Sequence, residues 1–135
     1  MRERRGALVV GLAIVALALA GCNGNDESST TETAATGTPK ATLKGTVGPG
    51  FTITLKTESG EPVSTLVAGT YVFEVDDLSE SHNFHLTGPG IDEKTAIEAT
   101  ATDRFTRTLE PGTYTFVCDA HEDSMRGSFT VSGDS

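Results

Sequence analysis

From residue 41 onward, the chain consists of short segments in which apolar and polar residues alternate, separated by turns that contain glycine or proline. Phe51, Ile53 and Leu55 alternate with polar residues, and the segments around Tyr114 and Phe129 show the same period of two. Because successive side chains of a strand point to opposite faces of a sheet, each segment predicts a strand with one buried face. Many short strands separated by such turns predict an all-β sandwich or barrel.

Two segments of this region need separate predictions. In residues 82–87 the alternation puts His82, Phe84 and Leu86 on one face of a strand and His85 on the other. Residues 92–102 lack the alternation and predict a helical turn or a loop. About 95 residues are enough for one two-sheet core, although a domain of this size has a modest margin of stability.

The N-terminus predicts an export signal. Arg2, Arg4 and Arg5 precede an apolar run that is too short to cross a bilayer as a permanent helix, so residues 1–21 predict a signal peptide. The run ends in Leu-Ala-Gly-Cys, which resembles the lipobox of bacterial lipoproteins. That resemblance implies that Cys22 carries lipid and anchors the protein to the outer face of the cell membrane or to the periplasmic side. The alternative is an ordinary signal peptide that leaves Cys22 as a free thiol.

Residues 22–40 contain almost no large apolar side chain and are rich in Ser, Thr, Gly and acidic residues. Such a segment buries too little surface to offset its ordering entropy, and it predicts a flexible linker. The folded domain is therefore expected to occupy residues 41–135.

Charge and cysteine content exclude several classes of function. The 10 Lys and Arg residues against 19 Asp and Glu give a net charge of −9, so no basic face is expected for binding nucleic acid. The chain has only 2 cysteines, which excludes a disulfide-dense scaffold. If Cys22 carries lipid, Cys118 has no disulfide partner within the chain.

A group of metal-binding residue types lies near the C-terminus. Cys118, His121 and Met125 follow one another in a C-x2-H-x3-M pattern at the end of a predicted strand, and His82 lies upstream on a predicted inward face. Thiolate and thioether ligands beside imidazole select copper, and two His with one Cys and a weak axial Met form the blue-copper arrangement. Zinc sites rarely use Met. A binuclear copper centre would need two cysteines in one loop, and this loop contains only Cys118, so that kind of site is excluded.

The segments GTYVFEVDDLSESHNFHLTGPG and LEPGTYTFVCDAHEDSMRGSFTV resemble cupredoxins, the plastocyanin-like blue copper proteins, over residues 46–132. The resemblance implies a Greek-key β-sandwich with one type 1 copper ion held by His82, Cys118, His121 and Met125. It assigns to Asn83 a hydrogen bond that holds the cysteine loop. The family usually has proline before the second histidine, where this chain has Ala120.

The resemblance further implies a monomeric electron carrier, not an enzyme, whose partners are redox proteins such as cytochromes or membrane respiratory complexes. The exposed edge of His121, within an apolar patch, would be the point of electron transfer. The alternative is a copper protein for storage, delivery or sensing. Asp119, Glu122 and Asp123 near His121 either steer a basic partner or reflect a generally acidic surface. Replacing His85 is expected to change little.

Overall fold

The computed structural model describes residues 37–134, and these residues form nine strands and no helix. The strands are β1 (Ala41–Val47), β2 (Ile53–Thr57), β3 (Thr65–Val67), β4 (Gly69–Asp77), β5 (His85–Gly88), β6 (Ile91–Lys94), β7 (Ala101–Leu109), β8 (Gly112–Val117) and β9 (Arg126–Ser132). Within this part of the chain, no helix is long and apolar enough to cross a membrane. The predicted signal peptide, Cys22 and most of the predicted linker lie outside the described residues.

The strands form two sheets. One has the order β2-β1-β4-β7, and the other has the order β3-β9-β8-β5-β6. Three consecutive pairs, β1–β2, β5–β6 and β8–β9, are antiparallel. β1 runs parallel to β4 and β3 runs parallel to β9, so the chain also crosses between the sheets. The predicted all-β Greek-key sandwich is confirmed.

The core lies between the two sheets and consists of the inward-facing residues of the alternating segments. Three pairs of parallel-stacked rings fill it: Phe73 with Phe105, Phe84 with Phe116, and Tyr114 with Phe129, with centroids 5.1 to 5.5 Å apart. Each such pair contributes about 0.5–1.5 kcal/mol beyond the burial of its area. The Phe84–Phe116 pair links β8 to the residues just before β5.

Glycine allows one of these rings to pack closely. Gly127 of β9 lies opposite Phe116 in the register of the β8–β9 pair, and a Cβ at this position would overlap the Phe116 ring. Any other residue here would displace the ring that stacks on Phe84. The position therefore requires glycine because of close packing, not because of its backbone angle.

The structure differs from the sequence-based prediction in three places. Ile91–Lys94 form strand β6 and β7 begins at Ala101, so the predicted helical turn or loop over 92–102 is wrong at both ends and is correct only for residues 95–100. Phe51 precedes β2 and is 65% exposed, because the bend that follows Gly48 extends to Phe51 and the strand begins only at Ile53. His82 lies in the connection before β5, not in a strand, and both His82 and Asn83 are buried.

Candidate metal centre

Three nitrogen and sulfur donors meet at one end of the sandwich. His82 lies in the connection from β4 to β5, while Cys118 directly follows β8 and His121 lies in the loop to β9. His82 Nδ1 and His121 Nδ1 are 3.1 Å apart, and Cys118 Sγ is 3.6 Å from the first and 3.8 Å from the second. Among residues 37–134, this is the group of three His, Cys, Asp or Glu side chains whose ligand atoms are close enough to hold a metal ion.

The dimensions of this triangle fit a metal ion. The point equidistant from the three atoms lies about 2 Å from each, close to the bond lengths that a transition metal makes to imidazole nitrogen and thiolate sulfur. His82 and Cys118 are buried, and His121 is partly exposed. A thiolate with two imidazoles is a soft donor set that favours copper. The cluster suits a single type 1 copper site.

Met125, the fourth predicted donor, lies in the loop between β8 and β9. Its side chain is fully buried, and its backbone is hydrogen-bonded to Cys118 and His121. The Cys118 N–H donates to the Met125 carbonyl oxygen at 3.0 Å, and the Met125 N–H donates to the His121 carbonyl oxygen at 2.8 Å. These bonds keep the backbone of Met125 beside Cys118, so all four predicted residues lie at one end of the domain.

Backbone and side-chain hydrogen bonds fix the loop that carries Cys118 and His121. The His121 N–H donates to the Cys118 carbonyl oxygen at 3.0 Å, which closes a tight turn between the two donors. Asn83 connects this loop to the segment of His82: its Oδ1 accepts from the Asp119 N–H at 2.9 Å, and its Nδ2 donates to Asp119 Oδ2 at 2.9 Å. Asn83 therefore occupies the position that the resemblance implied for it.

The connection before β5 is also fixed from its other side. The Phe84 N–H donates to Thr95 Oγ1 at 2.9 Å, and the Thr95 N–H donates to the Phe84 carbonyl oxygen at 3.0 Å. Thr95 is buried, although the sequence pattern gave no indication of a role for it. Only the pairing of β5 with β6 brings it close to the site.

Phe51 is a second residue that sequence analysis did not assign to the site. Its ring lies edge-on to His121, with centroids 4.9 Å apart, and its centroid is 5.7 Å from that of His82. The alternation of Phe51 with Ile53 and Leu55 predicted a core position instead. The sequence did contain a signal: the Gly48-Pro49-Gly50 turn directly precedes Phe51, so the strand can begin only after it.

Asp119 differs from its predicted role as one of three surface charges near His121. Its carboxylate accepts bonds from Asn83 and from His85 Nδ1, the latter at 2.6 Å. Burial by itself raises the pKa of Asp119, but the bonds from His85 and Asn83 outweigh it and hold the pKa below its ordinary value. Asp119 is therefore an internal partner of the loop, while Glu122 and Asp123 are exposed.

His85 is not among the converging donors, because both of its ring nitrogens face carboxylates. Burial by itself lowers the pKa of His85, but the hydrogen bonds to Asp119 and Asp92 outweigh it and raise the pKa above its ordinary value. The ring is tied to the residue next to Cys118, and this contact revises the expectation that replacing His85 changes little.

A family model and the structures of rusticyanin agree with the fold. A family model described as a cupredoxin-like domain matches residues 11–131. Rusticyanin from Thiobacillus ferrooxidans is 19% identical, with a TM-score of 0.50 over 67% of this chain and 76% of that chain. Reduced rusticyanin is 20% identical, with a TM-score of 0.51 over 67% and 78%. Auracyanin A, a "blue" copper protein from Chloroflexus aurantiacus, is 16% identical, with a TM-score of 0.45 over 68% and 98%. No curated protein matches the chain.

Proposed function

The chain belongs to the cupredoxin-like domain family, and on that premise we propose that it is a membrane-tethered type 1 copper protein that carries single electrons between redox partners. The observation that supports this most is the convergence of Cys118 Sγ with the Nδ1 atoms of His82 and His121 at distances of 3.1 to 3.8 Å. A buried thiolate beside two imidazoles is the donor set of a blue copper centre.

In this proposal His82, Cys118 and His121 would hold the copper ion, and Met125 would supply a weaker thioether donor. Copper, when bound, supplies a one-electron change between Cu(I) and Cu(II). The protein keeps the donors in nearly the same positions in both states, because each lies next to a paired strand or in a hydrogen-bonded turn. Small movement of the ligands on a change of charge is what a fast electron carrier needs.

His121 is the donor through which an electron would enter or leave. It is partly exposed, whereas His82 and Cys118 are buried, and the exposed ring of Phe51 lies against its edge. We therefore place the docking surface for a redox protein at His121 and Phe51. A carrier needs an accessible path to the metal but no open coordination position or substrate pocket, so the same arrangement favours transfer over catalysis.

The first test is an optical spectrum of the oxidised protein with one equivalent of Cu(II). An electron carrier should show intense visible absorption from the bond between Cys118 and Cu(II), should lose it on reduction, and should regain it on reoxidation without loss of metal. A delivery or storage protein should release Cu(I) to a competing chelator during this cycle. A colourless copper complex would contradict the proposal.

The proposed membrane tether depends on Cys22. Two acyl chains hold a protein stably to a bilayer, whereas a single chain gives only reversible binding. Replacing Cys22 with serine should therefore move the exported protein from the membrane fraction to the soluble fraction. Immunoblotting of the two fractions would measure this. Unchanged membrane association of the Cys22→Ser protein would contradict the tether.

The acidic residues beside His121 predict a dependence of electron transfer on salt. Glu122 and Asp123 are exposed next to the proposed docking surface, and a charged surface raises the association rate with an oppositely charged partner at low ionic strength. Replacing both with their amides should lower the bimolecular rate with a basic cytochrome about tenfold or less at low salt, and should flatten the salt dependence.

A matched control is the pair Glu58 and Glu61, which are exposed in the connection after β2, away from His121. Stopped-flow measurements over a range of ionic strength would compare the two double variants. An equal effect of both pairs would mean that general acidity, and not the position beside His121, sets the rate.

A further inference from the structure

The ring of His85 lies between two carboxylates. Its Nδ1 is 2.6 Å from Asp119 Oδ1, and its Nε2 is 2.7 Å from Asp92 Oδ1. A carboxylate oxygen only accepts hydrogen bonds, so both ring nitrogens must carry a proton for both contacts to form. This geometry requires a positively charged imidazolium. The His85 side chain is only 18% exposed, so water screens its contact with Asp119 weakly.

The charged groups that face His85 come from two neighbouring elements. Asp92 and Lys94 lie on β6, where Lys94 is the register partner of His85, and Asp119 follows β8 on the other side. The Asp119 side chain is 27% exposed and the Asp92 side chain is 80% exposed, so the inner contact is the better shielded of the two. Two carboxylates and one ammonium group surround the ring. The negative charges outnumber the positive one, and this stabilises the protonated form of His85.

The inner carboxylate connects His85 to the metal centre. Asp119 directly follows Cys118, and its second oxygen accepts from Asn83 Nδ2 at 2.9 Å. Asn83 directly follows His82 and accepts the Asp119 N–H with its own oxygen. A continuous series of hydrogen bonds therefore runs from His85 through Asp119 to Asn83. It joins the residue after Cys118 to the residue after His82.

We propose that His85 is a positioning residue of the metal centre: its imidazolium holds the Asp119 carboxylate against Asn83, and its positive charge raises the reduction potential of the bound copper. The inference rests on the proposed function of the site. A positive charge close to the centre favours the less positive Cu(I) state, so its loss favours Cu(II) and lowers the potential. Outer partners of metal ligands commonly tune a site in this way.

The test compares reduction potentials of the full-length copper-loaded protein and three variants. His85→Gln keeps a hydrogen-bonding side chain but removes the charge. It should lower the potential by an amount equal to about a tenfold change in the Cu(I) to Cu(II) ratio, or about 59 mV for a one-electron couple. His85→Lys retains the charge and should stay closer to the wild-type potential. Thr87→Val changes the same face of β5 without touching Asp119, and should leave the potential unchanged.

The outcomes separate this inference from the proposed function. If the wild-type protein is blue and His85→Gln keeps both its colour and its potential, the role of His85 is overturned while the electron carrier remains. If the wild-type protein forms no blue copper site, the proposed function itself fails.

A measurement on the wild-type protein does not depend on the folding of any variant. In the diamagnetic Cu(I) form, nitrogen-15 NMR should show both ring nitrogens of His85 protonated at pH 7. A neutral His85 ring in this spectrum would overturn the proposal.

Discussion

Replacing Cys118 with serine should abolish the intense visible absorption of the copper-loaded protein. The hydroxyl is a much harder and weaker donor than the thiolate, and the colour arises from the copper–sulfur bond. Copper affinity should fall by more than the roughly 10- to 100-fold that loss of an outer partner of a ligand costs, because a direct donor is removed. Optical titration with Cu(II) would measure both effects.

The matched control for this variant is Cys22→Ser, since the chain contains only 2 cysteines. It makes the same exchange at the other cysteine of the sequence, before the folded domain, and should leave the colour unchanged. Serine at 118 is small and lies at a fully buried position, so the fold should be checked by circular dichroism. A blue Cys118→Ser protein would show that the thiolate is not a ligand.

Replacing Met125 with leucine should preserve copper binding and colour but raise the reduction potential. The thioether is a weak axial donor that stabilises Cu(II), and leucine removes the donor while filling nearly the same volume. The buried position predicts a stability cost of less than about 1.5 kcal/mol, as for other Leu and Met exchanges in cores. The potential should rise by at least about 59 mV, which is a tenfold change in the Cu(I) to Cu(II) ratio.

A matched control is Leu109→Met, an exchange of the same pair of residue types at a position that is also fully buried. Leu109 pairs with Gly69 at the start of β4, whereas the metal centre lies beyond the other end of that strand. This variant should change neither colour nor potential. If the Met125→Leu protein has the same reduction potential as the wild type, Met125 only fills space in the core and is not a donor to copper.

The strands could be predicted from the sequence wherever one face is buried and the other is exposed. Tyr114 and Phe116 in β8, and Phe129 and Val131 in β9, are buried as their alternation indicates. The prediction of a helical turn or loop was wrong for residues 101–102, which begin β7 with two exposed residues, and for residues 92–94, because β6 is a short edge strand in which only Ile91 is buried. With one apolar residue, a strand has no period that could distinguish it from a loop.

The candidate donors could be chosen from the sequence because their chemistry is unusual, while their surroundings could not. The role of His85 depends on two pairings: β5 with β8 places it near Asp119, and β5 with β6 places it near Asp92. Neither register follows from the alternation of a single strand, which fixes the face of a residue but not its neighbours. The same reason explains why Asp119 was predicted to be a surface charge.

The pairing of distant segments has a consequence for the order of events during folding. β1 pairs in parallel with β4, β3 pairs with β9, and His82 reaches Cys118 only after β5 has found β8. Chains dominated by such remote pairings fold slowly, because loops must close before their contacts are gained. The donor atoms therefore come together only where these remote pairings have formed. We expect a metal ion to bind this native arrangement more tightly than the unfolded chain, and this would raise the free energy of unfolding by mass action.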